Sequence, residues 1–188
     1  MCYNKHMDSI SHPFEPVYNP QSQVLILGTM PSPKSRDAGF FYMHPRNRFW
    51  NVISTIFGEE LLFPNKILSN TSDSPIEAAI NERRDFLLRH NIAVWDVLAS
   101  CQIKGAADSS IREAVPNDFT KIFESAPIHH VFCTGKTAYK LWKKFCAREY
   151  KERFLLTAQC LPSTSPANIR WTMEQLIKEY KIIKYVIK

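Results

Sequence analysis

The chain has 188 residues, 45% hydrophobic and 12% aromatic, enough for one packed core and too few for two comfortable domains. One domain over residues 1–188 is expected, with residues 1–20 as an N-terminal extension packed on or beside it. No apolar stretch approaches the length that spans a bilayer, and residues 1–20 lack the apolar centre of a signal peptide, so a soluble, cytoplasmic protein is expected. The five cysteines (Cys2, Cys101, Cys133, Cys146 and Cys160) are odd in number and show no metal-ligand spacing, which argues against a disulfide framework and a finger-type zinc site. Neither metal nor cofactor is expected. The net charge of +6 is uneven: residues 1–100 hold 9 Lys/Arg against 10 Asp/Glu, residues 101–188 hold 15 against 8. Such an excess suits a polyanionic partner, because phosphates neutralised by Lys or Arg release condensed counterions. It also suits a merely solvated basic surface.

Residues 23–28, Gln-Val-Leu-Ile-Leu-Gly, read as a short strand buried on both faces and ended by glycine. After Pro45, the spacing of Phe49, Val52, Ile53, Ile56 and Phe57 predicts a helix. Ser74, Pro75 and Glu77 form an N-cap, a first-turn proline and a capping box for another. Residues 92–98, 128–134 and 154–158 repeat the short apolar strand pattern. Over 135–149, Ala138, Leu141, Trp142 and Phe145 form one stripe, with Lys136, Lys140, Lys143 and Lys144 opposite, so this helix shows solvent or a phosphate backbone its basic face. Residues 181–188 fit a helix end or an edge strand. Strands alternating with helices imply a parallel sheet covered on both faces, an α/β architecture in three layers. Its site belongs in the loops leaving the carboxyl ends of the strands, which are residues 28–45, 99–117, 134–135 and 159–166.

The first of these loops carries the chemistry. Gly28-Thr29-Met30-Pro31-Ser32-Pro33-Lys34-Ser35 runs on through Phe40-Phe41-Tyr42-Met43-His44-Pro45-Arg46-Asn47-Arg48-Phe49-Trp50 into a helix start. Aromatic rings to stack on, partners for base edges and donors for phosphate are what an extruded nucleotide requires. The Gly-x-x-Pro turn and the His-Pro-x-Asn-Arg-Phe-Trp segment resemble the uracil-DNA glycosylase superfamily, and most closely its hypoxanthine-DNA glycosylase family. The resemblance extends in order through Trp95-Asp96-Val97-Leu98-Ala99-Ser100-Cys101 and Leu161-Pro162-Ser163-Thr164-Ser165-Pro166-Ala167-Asn168. It implies a three-layer α/β/α sandwich around a mainly parallel four-stranded sheet.

The resemblance also implies roles. Well-known branches of the superfamily place Asp or Asn between the glycine and proline of the first motif to hold the attacking water. This chain has Met30, whose thioether cannot serve as a base. The catalytic candidate is therefore Asn47, with a plain helix cap as the alternative. Tyr42 aligns with the ring that stacks on the flipped base, and Phe41 is the fallback. Gly28, Thr29 and Met30 would offer backbone groups to the base edge. Ser32, Ser163, Thr164 and Ser165 would contact DNA, although Ser165 also reads as an N-cap to a helix starting at Ser165-Pro166. His44 either contacts phosphate or base or braces the loop before Pro45. Leu161 stands where the uracil-specific branch has a histidine, which disfavours strong uracil activity. Asp96 either positions a polar partner or a substrate, or serves in a buried salt bridge or a loop cap. The implied function is a monofunctional repair enzyme, expected to be a monomer, acting on DNA with a deaminated base, foremost hypoxanthine. The alternatives are a mismatch-specific uracil/thymine glycosylase and a non-catalytic nucleic-acid-binding relative.

Overall fold

The structure is a computed structural model that describes residues 7–63 and 74–188. In chain order its strands are β1 (Asp8–Ser11), β2 (Val24–Gly28), β3 (Ile92–Asp96), β4 (Leu98–Ile103), β5 (Arg112–Pro116), β6 (His130–Thr134) and β7 (Ala158–Leu161). The helices are α1 (Pro33–Asp37), α2 (Phe49–Phe57), α3 (Ser74–Arg89), α4 (Thr120–Ser125), α5 (Lys136–Phe145), α6 (Ala147–Phe154) and α7 (Met173–Val186).

Four strands form an all-parallel sheet in the order β3-β2-β6-β7. All of β2 is buried, as its unbroken apolar run predicts. Its side chains alternate between two cores: Val24 and Ile26 pack with residues of α2, α3 and α7, Leu25 and Leu27 with residues of α4, α5 and α6. The sheet is thus the middle layer of an α/β/α sandwich. Each fully buried aliphatic side chain on these two faces contributes about 1.5–3 kcal/mol relative to an exposed one. The register opposes Gly28 to Asp96 and Thr134 to Leu161, so pairing alone gathers these residues at the carboxyl edge of the sheet.

The helix after Pro45 forms over α2. The Asn47 side-chain oxygen accepts from the Phe49 N–H at 3.0 Å at its start, and Gly58, with φ of 75°, ends it in the left-handed conformation. In α5, Ala138 and Trp142 are buried and the four lysines are exposed, as the stripe predicts. The segment 181–188 is mostly the end of α7. Ser74 begins α3, but its side chain, like Cys2, lies outside the described residues, so the capping box there is not described.

Five expectations need correction. The 92–98 strand divides at Val97: β3 stays in the parallel sheet, whereas β4 turns away to pair antiparallel with β1 and β5. The supposed loop 99–117 is therefore largely a hairpin in a second, three-stranded sheet that includes part of the N-terminal extension. Its mixed polar and apolar residues conceal a half-exposed sheet. The helix over 135–149 breaks at Cys146, which caps the start of α6, and residues 154–157 are not strand. Leu155 ends α6 with φ of 57°, so the last parallel strand begins later, at Ala158. Finally, no helix starts at Ser165-Pro166. Turns fill residues 165–171, and α7 starts behind Thr172, whose hydroxyl accepts from Gln175 N–H while the Gln175 side chain accepts from Thr172 N–H. Among the described residues, no helix is long and apolar enough to cross a membrane.

Candidate active site

A cleft of about 500 Å³ opens over the carboxyl edge of the parallel sheet. That volume is in the range of small-ligand sites. One wall comes from the first loop, with Gly28, Thr29, Met30, Ser32, Phe41, Tyr42 and Asn47. Ser163, Thr164, Ser165 and Asn168 continue it from the loop after β7, and Thr134 lies between. The other wall carries Asp96 and residues 105–109. Every site residue expected from the sequence lines the cleft except His44.

Tyr42 has a left-handed backbone, φ 57°, unusual for a bulky side chain. Its ring lies on Phe49 with centroids 3.9 Å apart and planes 17° from parallel. Thr134 donates its hydroxyl to Leu27 O at 3.2 Å, so Tyr42 O–H donates to Thr134 Oγ1 at 3.1 Å. Burial first, and then the Asp96 charge, raise the Tyr42 phenol well above its ordinary range, keeping it neutral. Phe41 differs: its ring is 2% exposed and packs on Phe14, Phe40 and His12. It supports the platform from the core.

Asn47 uses its side-chain oxygen on the start of α2, as described, while lining the cleft. The cap and a role in the cleft are thus compatible, because an amide oxygen has two lone pairs and the –NH₂ adds two donors. His44 braces the turn: its Nδ1 accepts from Arg46 N–H at 3.1 Å and its carbonyl from Asn47 N–H at 2.8 Å. Burial, then Arg46 and Lys34, push the His44 pKa down.

The sequence did not single out Arg48, yet it joins the two motifs. Its backbone N–H donates to Thr164 O at 3.1 Å, and its guanidinium donates to the carbonyls of Ser165 (3.2 Å), Asn168 (2.9 Å) and Trp171. A planar fork of donors suits several carbonyls at once. Asn168 Nδ2–H donates to Ser163 O at 2.8 Å, and Ser163 Oγ accepts from Ser165 N–H. Thr164 is 1% exposed, so Ser163 and Ser165 are the accessible hydroxyls of this loop.

On the opposite wall, Asp96 Oδ2 accepts from His12 Nε2 at 2.9 Å, and Asp96 Oδ1 would lie 2.1 Å from a Cβ placed on Gly28. Only glycine admits the carboxylate there. Tyr42 Oη is 3.2 Å from the same point. Thr29 O–H donates to Asp108 Oδ2 at 3.2 Å. Although residue Asp108 is open to solvent, its carboxyl turns into the wall; desolvation and the Asp96 charge raise its pKa, against the Thr29 bond. His12 and Asp108 escaped the sequence reading because neither lies in a motif. Among the described residues, no three His, Cys, Asp or Glu side chains gather to hold a metal ion.

Residues 15–185 match the family model described as the uracil DNA glycosylase superfamily. The chain is 28% identical over 146 residues to a hypoxanthine DNA glycosylase of Methanosarcina barkeri, covering 77% of this chain and 84% of that protein. It is also 28% identical over 165 residues to one of Methanosarcina acetivorans, covering 87% and 91%. A solution NMR structure from Methanosarcina acetivorans, described as a candidate uracil DNA glycosylase, superposes with a TM-score of 0.71 at 22% identity. That superposition covers 94% of this chain and 98% of the other.

Proposed function

The chain belongs to the uracil-DNA glycosylase superfamily and is a deaminated-base DNA repair glycosylase, and we propose that within this class it excises hypoxanthine. The observation that carries the proposal is the cleft itself. Tyr42, backed by Phe49, faces a space shared with Asn47, and Met30 lines it where other branches have the Asp or Asn that holds the water. The two relatives named hypoxanthine DNA glycosylase support the same choice. We assign the whole chain to one glycosylase domain that acts as a monomer, with residues 1–20 as its N-terminal extension.

Extrusion of the nucleotide brings the base onto Tyr42, and the weak pairing of deaminated bases lowers the energy this requires. Ile169, 89% exposed just beyond Asn168, is suited to fill the gap left in the duplex. Backbone groups of Gly28, Thr29 and Met30 meet the base edge, and Ser32, Ser163 and Ser165 meet phosphates. Cleavage develops positive charge on the sugar and negative charge on the departing base. A neutral amide cannot deprotonate water, so Asn47 orients the water and stabilises the cationic sugar through its carbonyl dipole. In this reading no lysine acts as a Schiff-base nucleophile, and the product is an abasic site in an unbroken strand.

The test uses duplexes each carrying one hypoxanthine, uracil or xanthine, followed by alkaline cleavage of abasic sites. Hypoxanthine is expected to be removed fastest. Faster uracil removal would instead favour a mismatch-specific uracil enzyme, and binding without any abasic product a non-catalytic relative.

A further inference from the structure

His12 lies outside residues 15–185, the part of the chain that matches the superfamily model, yet it reaches the floor of the cleft. It follows β1, and its backbone N–H donates to Ala99 O at 2.7 Å, so the second sheet fixes where the ring enters. Phe14, Phe41 and Trp95 surround the ring with centroids 5.7, 6.0 and 6.2 Å away. The His12 and Asp96 side chains are 3% and 6% exposed. A carboxylate can only accept, so His12 Nε2 carries the hydrogen of their 2.9 Å bond. This occupies Asp96 Oδ2. Asp96 Oδ1 remains over Gly28, beside the hydroxyl end of Tyr42.

Building on the glycosylase reading above, we propose that His12 locks Asp96 as a fixed acceptor for the ring N–H that distinguishes hypoxanthine from adenine. A base stacked on Tyr42 directs its outer edge toward the hydroxyl end of that ring, where Asp96 Oδ1 lies. Deamination of adenine converts N1 from a lone pair to an N–H, and deamination of cytosine does the same at N3. A carboxylate oxygen attracts that N–H and repels the lone pair. An amide in its place could rotate to offer either sign, whereas a carboxylate offers only an acceptor. Xanthine and guanine both carry N1–H, so this device does not separate them; the stable G·C pair must protect guanine before extrusion.

His12 makes the prediction sharp. In Asp96→Asn, His12 Nε2–H still requires an acceptor, which holds the amide oxygen toward His12 and turns the –NH₂ toward the cleft. The preferred base should then invert. Affinity is measured for duplexes carrying non-hydrolysable 2′-fluoro-arabino hypoxanthine or 2′-fluoro-arabino purine, the latter having a lone pair at N1. The unaltered protein is expected to bind the hypoxanthine duplex at least about tenfold more tightly. Asp96→Asn is expected to bind the purine duplex as well or better, and Asp96→Asn with His12→Phe, whose amide is free to rotate, to regain part of the hypoxanthine preference.

A purely structural ion pair would lower the melting temperature of Asp96→Asn and leave the preference unchanged, which would overturn the proposal. So would equal binding of the two duplexes by the unaltered protein. If Asp96→Asn does not fold, His12→Phe, which keeps the ring packing, is read instead: its preference should fall to threefold or less on the order expected for one lost orienting bond, and an unchanged preference overturns the proposal. Cleavable hypoxanthine duplexes distinguish the two levels of failure. If the unaltered protein leaves them intact, the hypoxanthine reading itself fails; if it cleaves them while the Asp96→Asn preference is unchanged, only the role of His12 and Asp96 fails.

Discussion

The two walls of the cleft are built from different chemistry. The wall from residues 28–49 and 161–168 is neutral: an aromatic platform, amides and hydroxyls, fastened by Arg48 to carbonyls of the neighbouring loop. The wall opposite carries two carboxyls, Asp96 and Asp108, and rests on the second sheet and the N-terminal segment. Ground-state recognition and charge separation make opposite demands on this second wall: a carboxylate there can accept a base N–H, but it also opposes negative charge on the departing base, which the backbone donors of the first loop must offset. In the proposed reading, water and sugar lie near Asn47, and the base edge lies between the backbone groups of Gly28, Thr29 and Met30 and the Asp96 carboxylate.

Removing the neutral wall's reactive group should have the largest effect. Asn47→Ala is expected to slow single-turnover excision by a hundredfold or more, the loss of about 2.7–4 kcal/mol seen when a positioned polar group is removed. Duplex affinity should hardly change. Because the same side chain accepts the first N–H of α2, a lower melting temperature is also expected, by the equivalent of about 1 kcal/mol. A variant that melts earlier but excises normally when folded would make Asn47 a cap alone.

Arg48→Met tests whether the neutral wall must be fastened. Its guanidinium serves carbonyls at Ser165, Asn168 and Trp171, so the variant should lose about 2–3 kcal/mol in urea unfolding and most of its excision rate. Tyr42→Ala should weaken binding to hypoxanthine-containing DNA by about 1–3 kcal/mol and to undamaged DNA much less. Equal losses for both duplexes, measured by fluorescence anisotropy, would remove Tyr42 as the platform.

These two walls also differ in how legible they were. The neutral wall lies in motifs contiguous in sequence, so Tyr42, Asn47 and Ser163 could be named through the family resemblance those motifs carry, and the parallel strand of residues 24–28 announced itself by its unbroken apolar run up to the closing glycine. The carboxylate wall is tertiary. His12 and Asp96 are 84 residues apart, joined because β1 pairs with β4, and β1 is four residues, three of them exposed, without a periodic signal. Arg48 was visible as a residue of the motif, but its carbonyl partners sit more than 100 residues further on. The misplaced strand at residues 154–158 has a local cause: an apolar run crosses a helix end, and nothing in it announces that Leu155 takes a left-handed turn.

Smaller effects sharpen the contrast. The raised pKa of Asp108 means that its ionised form disfavours the folded state at neutral pH, a penalty that disappears as pH falls through the folded pKa. Asp108→Asn should therefore raise the melting temperature slightly at pH 7, by the equivalent of less than about 1 kcal/mol given its solvent exposure, and make no difference near pH 3. On the surface, Lys136 begins α5 beside Gly135, whose backbone abuts Ser163, whereas Lys143 and Lys144 lie at the far end. Lys136→Gln should lower the salt slope of DNA binding by about 0.9, with Lys143→Gln leaving it unchanged. Equal slopes for all three proteins would make the α5 lysines a solvated face.

The most direct measurement follows the released base. A duplex with one deoxyinosine is incubated with excess protein, and small molecules and strands are analysed separately by mass spectrometry. The expected result is one equivalent of free hypoxanthine and an unbroken strand bearing an abasic site, with the yield reduced at equal times by Asn47→Ala. Recovery of the deoxyinosine strand intact, from a protein that binds it, would contradict the account.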